Sequence, residues 1–333
     1  MEQSIEKNKT GIIRRITAIN GMGQVLTVTV GLIVLCLVFG IINPTFFSSR
    51  NLGNLLRQIA PFILIGIGQS YVLITGNIDL SIGSVIGMST MLSATMMTKG
   101  VNPWLAVLIT LAACLVMGIL NGWLVAGFSM PPFIATLGTM TIGRGIAQIA
   151  NGNYNTNSIG AAAEGFRNFF YYGKVAGIYT TFWIAVIIFL IFNFYLSKTK
   201  TGRHIYAVGS NINAAKLSGV SVTAVTIKVY VISAFCAAIV GFTQCASAGM
   251  GAMDAGNSYE MYAVAASVIG GVSTLGGQGI LFGTVIGAAI WAVLQNGLQF
   301  AGAPVAIRNI AIGIIVIISV LLDIIVRGRK RSN

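Results

Sequence analysis

The sequence predicts an all-α polytopic membrane protein of about ten transmembrane helices. Three observations lead there. Hydrophobic residues make up 56% of the 333 and charged residues only 8%, against about 25% charged in an ordinary soluble domain. A water-soluble fold would therefore expose a large apolar surface. The apolar residues also come in runs, and a bilayer core needs roughly 20 of them per helix. Finally, the 41 glycines suit close helix–helix contact in lipid. The net charge of +13 flanks the apolar runs, so it reads as membrane orientation and not as a nucleic-acid surface.

The elements follow in order. Residues 1–24 form a tail carrying Lys7, Lys9, Arg14 and Arg15. The apolar run that begins at Val25 is longer than a signal-peptide core and has no clear small-residue cleavage site, so it predicts a retained first helix. Runs near 25–43, 58–76, 81–98, 104–127, 132–150, 180–196, 223–245, 259–273, 280–299 and 304–326 give a single transmembrane domain over 25–326. The second, third and eighth runs are short or interrupted by Gly and polar residues. Residues 327–333 are a basic tail.

Charge tests this count. With a cytoplasmic N-terminus and ten spans, the polar segment 197–222 and the C-terminal tail are cytoplasmic too. Thirteen of the 20 Lys and Arg then belong to the inside set and seven remain for the spans and the outer side, which is the expected inward bias. Losing one span would strand a basic cluster outside.

Within the spans, Pro44 ends the first helix and Pro61 opens the second. Asp79, between the second and third runs, is costly in lipid. It either N-caps the third helix or contacts a solute. Arg144 either snorkels outward or lines a polar path. Gly83-x-x-x-Gly87, Gly118-x-x-x-Gly122 and Gly283-x-x-x-Gly287 read as helix contacts. The stretch 151–179 is the longest outer loop and is either a solvated cover or a docking surface. Gly270 to Gly279 holds five glycines but no P-loop lysine, and reads as a tight turn. Cys36, Cys114, Cys236 and Cys245 sit in or beside apolar runs without metal-ligand spacing, and His204 is the only histidine. No metal, cofactor or catalytic set is expected.

Seven acidic residues leave no paired carboxylates in any span. Beyond Asp79 and Arg144 there is no ionisable device of the kind that couples an ion or proton gradient. Active transport would need energy from another chain, entering through the one long cytoplasmic segment, 197–222. Asn211 to Leu217 there has the outline of a short amphipathic helix bracketed by Gly209 and Gly219.

Thr201 to Asn211, followed by Ala214 to Val220, resembles the coupling loop of ribose/galactose/xylose-type permeases, the membrane subunits of ATP-binding-cassette sugar importers. Gly76 to Ser84, Pro131 to Met140, Tyr259-Glu260 and Ile269 to Gly279 are similar to the same family, in the same order. The resemblance implies a vitamin-B12-permease-like (type II importer) bundle in a bacterial inner membrane, with both termini cytoplasmic. It also implies a second permease subunit, identical or related, an extracytoplasmic sugar-binding protein, and a separate ATPase subunit that holds the ATP and Mg. Coupling to that ATPase falls to Gly202, Arg203, Gly209, Asn211, Ala214, Ala215, Leu217, Ser218 and Gly219. Candidates for a translocation path or gate are Asp79, Ser81, Phe133, Thr136, Arg144, Glu260 and Tyr262, with a cavity expected between spans two, five and eight. The chain has Met261-Tyr262 where the family pattern carries Leu-Asp, so no carboxylate role transfers to that position. Two alternatives remain: the same architecture carrying a branched-chain amino acid or nucleoside, and a stand-alone secondary carrier.

Overall fold

The computed structural model describes residues 22–304 and, beyond them, 306–308, 310, 311, 313, 314, 317 and 321. The helices are α1 (Met22–Ile42), α2 (Ser49–Ile74), α3 (Ile82–Thr98), α4 (Pro103–Gly127), α5 (Pro132–Ile149), α6 (Thr180–Lys198), α7 (Lys200–Ser210), α8 (Ile212–Leu217), α9 (Val222–Ala248), α10 (Tyr259–Ile269) and α11 (Leu281–Phe300). Among the described residues six are long and apolar enough to cross a membrane: α1, α2, α4, α6, α9 and α11. α5 has 18 residues, but three threonines, Arg144 and Gln148 lower its apolarity. α3 and α10 are shorter, at 17 and 11 residues. The described positions from 306 to 321 are helical, and the rest of the run at 304–326 lies outside the described residues, as do the basic tails.

The bundle sorts its helices by polarity. Within the apolar windows, 83% of α2 and 72% of α9 are buried, against 11% of α1 and 22% of α6. The inner pair carries Gln69, Ser70, Ser233 and Thr243. The outer helices turn side chains such as Ile41, Leu108 and Phe194 outward, which lipid accepts without cost. α9 packs on α4, α3 and α2, and α2 packs on α11, α10 and α6.

Two of the three small-residue pairs make helix contacts. A Cβ at Gly118 would stand 2.7 Å from the Tyr230 carbonyl of α9, and one at Gly122 would overlap Ile227. Gly283 and Gly287 of α11 press on the Ala266–Gly270 backbone at the end of α10. Gly83 and Gly87 differ. They face the side chains of Glu260 and Arg144 and the carbonyls of Gly256 and Ala255, so this pair makes room for a loop and a guanidinium.

The second predicted run begins too late. α2 starts at Ser49, where the Ser48 hydroxyl accepts from the Asn51 amide, and Pro61 lies inside the helix. A proline inside a transmembrane helix is tolerated because neighbouring groups satisfy the freed carbonyl. The polar turns from Arg50 to Gln58 hid this start, because apolarity alone marks only the later part of the helix.

α2 and α3 are joined by irregular backbone over 75–81, and Asp79 and Ser81 there are buried. Such backbone survives at membrane depth only inside protein. The Tyr230 hydroxyl donates to the Ile78 carbonyl at 2.9 Å. The stretch 151–179 is a packed cap. Phe166 and Phe170 are buried against Phe242 of α9, and Thr156 exchanges hydrogen bonds with Gly251. The cap ends in a hairpin, β1 (Lys174–Val175) paired antiparallel with β2 (Ile178–Tyr179). Its turn places Ala176 and Gly177 at φ 51° and 79°, the sense that suits a two-residue hairpin.

Candidate functional site

At one end of the bundle lie α7 and α8. Most of the predicted loop is helical, because Thr199 caps α7 through its hydroxyl and Ile205 and Val208 face inward. Asn211 then caps α8: its side-chain oxygen accepts from the amides of Asn213 and Ala214, both at 3.0 Å. Gly219 closes α8 at φ 79°. Gly219 N–H bonds Lys216 O and Val220 N–H bonds Ala215 O, the paired pattern of a left-handed C-terminal cap.

α7 is wedged against the main helices. A Cβ at Gly202 would overlap the Leu196 carbonyl, and one at Gly209 would overlap the Ile74 carbonyl at the end of α2. The same Ile74 carbonyl accepts from Gly277 N–H at 2.8 Å. The Tyr206 hydroxyl donates to Gly279 O at 2.6 Å, and burial pushes this phenol up to about 12, which keeps it a donor. Gly276 and Gly277 both sit at positive φ, 84° and 73°, as the tight turn between α10 and α11 requires. Thus α7 touches the end of α2 and the α10–α11 turn together. On α8, Ala215 is buried, while Ala214 and Leu217 face out, Leu217 at 92% exposure. Arg203 is exposed, and the Ser218 hydroxyl donates to Ala214 O.

At the opposite end a cavity of about 380 Å³ opens between α2, α9, α10 and α11, with Tyr171 of the cap and Arg308 at its rim. Gln58, Gln244, Gln295 and Asn296 supply amides, and Phe62 and Tyr259 supply rings. Arg57 lies 4.3 Å and 4.2 Å over the rings of Tyr171 and Tyr179 and donates to Asn54. Asn296 donates to Asn51 and Gln58, both at 3.2 Å. Behind Phe62 and Tyr259 stand Tyr262 and Trp291. Centroid separations of 6.0 Å for Phe62–Tyr262, 5.4 Å for Tyr259–Tyr262 and 5.2 Å for Tyr262–Trp291 make one continuous aromatic floor. Among the described residues no acidic side chain lines the cavity. The amides both donate and accept and the rings cover C–H faces, a set that suits a solute rich in hydroxyls, beside the guanidinium groups of Arg57 and Arg308. Span five contributes nothing to it, contrary to expectation, because α5 packs on α3 and α4 away from this end of α2.

The remaining candidates sit elsewhere. Asp79 is buried and accepts three hydrogen bonds: Ser81 N–H at 2.8 Å and Ser81 hydroxyl at 2.6 Å on one oxygen, Ser233 hydroxyl at 2.7 Å on the other. Asn121 donates to Ser81, and Thr139 donates to Asn121. All donors in this chain point toward Asp79, and it links α9, the 75–81 break, α4 and α5. Arg144 donates to Ala255 O at 2.6 Å with Glu260 and Asp254 as its nearest negative charges. Glu260 and Arg144 converge over Gly83. Thr136 donates to its own helix at Pro132 O, and Phe133 is exposed on the outside. The cavity amides carry no motif of their own, although they recur at one end of three apolar runs, at Gln58, Gln244 and Gln295-Asn296.

Residues 51–320 match the family described as branched-chain amino acid transport system / permease component. The chain is 38% identical to the ribose import permease protein of Bacillus subtilis (strain 168) over 313 residues, which cover 94% of this chain and 95% of the relative. It is 35% identical to the D-allose transport system permease protein of Escherichia coli (strain K12), over 88% of this chain and 89% of the relative. It is 33% identical to the galactose/methyl galactoside import permease protein of Salmonella typhimurium, over 90% and 94%. No solved structure matches the chain.

Proposed function

The chain belongs to the family described as the permease component of branched-chain amino acid transport systems, and from that premise we propose that it is the membrane subunit of an ATP-driven importer of a monosaccharide of the ribose, galactose or xylose class. One observation carries the mechanism. α7 is wedged against the end of α2 and the α10–α11 turn, and the other ends of α2, α10 and α11 line the polar cavity. A displacement of α7 and α8 therefore reaches the cavity through rigid helices, which is what two-state opening requires.

In this reading α7 and α8 face the cytoplasm and the cavity faces outward, as the basic residues around α7 favour. Ala214 and Leu217 contact a separate ATPase that binds ATP and Mg. Arg203 adds charge there. Gly202, Gly209, Asn211, Ser218 and Gly219 hold the shape of the lever, and Ala215 seats α8 on its own bundle. The cap over 151–179 and the cavity rim receive an extracytoplasmic binding protein. A second permease subunit completes an inner-membrane assembly, and ten spans in a vitamin-B12-permease-like arrangement, with both termini cytoplasmic, accommodate the six long helices, α3, α5, α10 and the helical positions from 306 on. Tyr262 belongs to the path. Asp79 and Ser81 hold the broken segment between α2 and α3. Arg144 and Glu260 hold the 254–260 segment on α3, and Thr136 and Phe133 serve packing and the lipid face.

The cavity favours a sugar over an amino acid. An amino acid brings an ammonium group, and among the described residues no lining carboxylate would meet it. The deciding experiment reconstitutes the chain with its ATPase and binding protein in liposomes. ATP-dependent uptake of a monosaccharide is the expected result. Uptake of leucine in its place, or ion-driven flux by the purified chain alone, refutes the reading.

A further inference from the structure

Below the aromatic floor the bundle holds a polar side chain with nothing to bond. Gln69 of α2 has no exposed surface, and among the described residues neither its amide nitrogen nor its amide oxygen has a partner. Its neighbour Ser70 shows that this region pairs its polar groups where packing asks for it: the Ser70 hydroxyl meets Ser267 at 3.1 Å and Thr284 at 2.8 Å. A buried primary amide without partners is costly in a membrane bundle. Such a group calls for an explanation beyond packing.

Its position supplies one. Gln69 lies seven residues beyond Phe62 on α2, about 10 Å along the axis and within about 20° of the same face. It lies eleven residues beyond Gln58, again within about 20°. Gln58 and Phe62 both line the cavity. The face of α2 that forms the cavity wall therefore continues past the aromatic floor to Gln69, on the way to the α7 end. Trp291, in the floor, also leaves its indole N–H without a partner among the described residues.

We propose that Gln69 is an inner binding station for the transported solute, giving and accepting a hydrogen bond with a solute hydroxyl once the Phe62–Tyr262 floor opens. An amide offers one donor edge and one acceptor edge, which is what a hydroxyl takes. This assignment rests on the reading of the chain as a monosaccharide permease.

The test uses the assembled transporter, with ATPase and binding protein, in liposomes and radiolabelled ribose, galactose or xylose as probe. Gln69→Leu lowers uptake about tenfold, the effect of one lost hydrogen bond of ordinary strength, and leaves the thermal midpoint equal or higher. Unchanged uptake overturns the assignment, and so does a midpoint that falls together with uptake, since the residue would then be structural. Gln69→Cys gives an independent reading. A small methanethiosulfonate reagent labels the introduced thiol above the background of the four native cysteines during ATP turnover, and absence of such labelling overturns the assignment. If the wild-type complex moves no monosaccharide, the proposed function fails by itself, and the labelling still decides whether Gln69 lies on a solvent-reached path.

Discussion

Two glycines of the α7–α8 lever sit in opposite physical situations, and replacing each by alanine separates them. At Gly209 the backbone conformation is ordinary, but an added Cβ overlaps the Ile74 carbonyl and stands 2.6 Å from Gly277 N. Both obstacles are main chain, so no rotamer change relieves them. Relief means moving α7 off the α2 end, which strains packing by about 1–3 kcal/mol. It also weakens the Gly277 N–H to Ile74 O bond of 2.8 Å, worth about 1 kcal/mol. Gly209→Ala therefore costs about 2–4 kcal/mol. At Gly219 nothing lies within 4 Å of an added Cβ, and only φ 79° opposes it, at about 1–2 kcal/mol. The assay pairs thermal unfolding of the purified chain with solute uptake by the assembled complex. Gly209→Ala is expected to lower the midpoint more than Gly219→Ala and to reduce uptake per ATP hydrolysed, because the lever no longer seats on α2. If the two variants are equal in both measurements, the wedge at Gly209 does not transmit motion and the reasoning is wrong.

Leu217→Glu places a charge on a side chain that is 92% exposed, so unfolding of the chain stays within about 0.5 kcal/mol of wild type while stimulation of the ATPase falls; a variant that still stimulates fully removes α8 from the docking surface. Ala215→Trp, by contrast, strikes a buried position and lowers the thermal midpoint before any effect on the ATPase can be read. Asp79→Ala strands three buried donors, about 2–5 kcal/mol at the strengths measured between membrane helices, and Ser233→Ala, which removes one of them, costs about 1 kcal/mol; equal midpoints for the two would refute the three-donor account. Tyr206→Phe removes the 2.6 Å bond to Gly279 O and lowers the midpoint by the equivalent of about 1 kcal/mol, with no pH dependence below about pH 9; between the ordinary phenol value of 10 and the folded value of about 12 the unfolded wild-type chain ionises first, so the wild type loses stability there and the variant does not.

What the sequence made legible and what it hid follow from which interactions are local. Asn211, Gly219 and the short run between them are a capped helix readable residue by residue, because caps are made within one turn. Gly118 and Gly122 were readable as a contact because spacing alone puts them on one face. Gly83 and Gly87 have the same spacing and a different partner, a loop and a guanidinium from residues 144 and 255–260, and no pattern within α3 distinguishes the two cases. The start of α2 was lost for a related reason. Its first turns are polar because they border the cavity, so the residues that define the site are the ones that break the apolar run. Arg57, Gln58, Gln244, Gln295 and Asn296 are each ordinary as span-end residues, since polar groups belong at a membrane boundary. Only the packing of α2 against α11, antiparallel as the Asn51–Asn296 and Ser70–Thr284 pairs require, with α9 and α10 beside them, turns separate span ends into one lining. Gln69 is the converse case. It lies beside Ser70, deep in a mostly apolar stretch of α2. A scan that averages apolarity over a whole span passes over one amide, and it takes the helix face shared with Gln58 and Phe62 to connect that amide to the cavity.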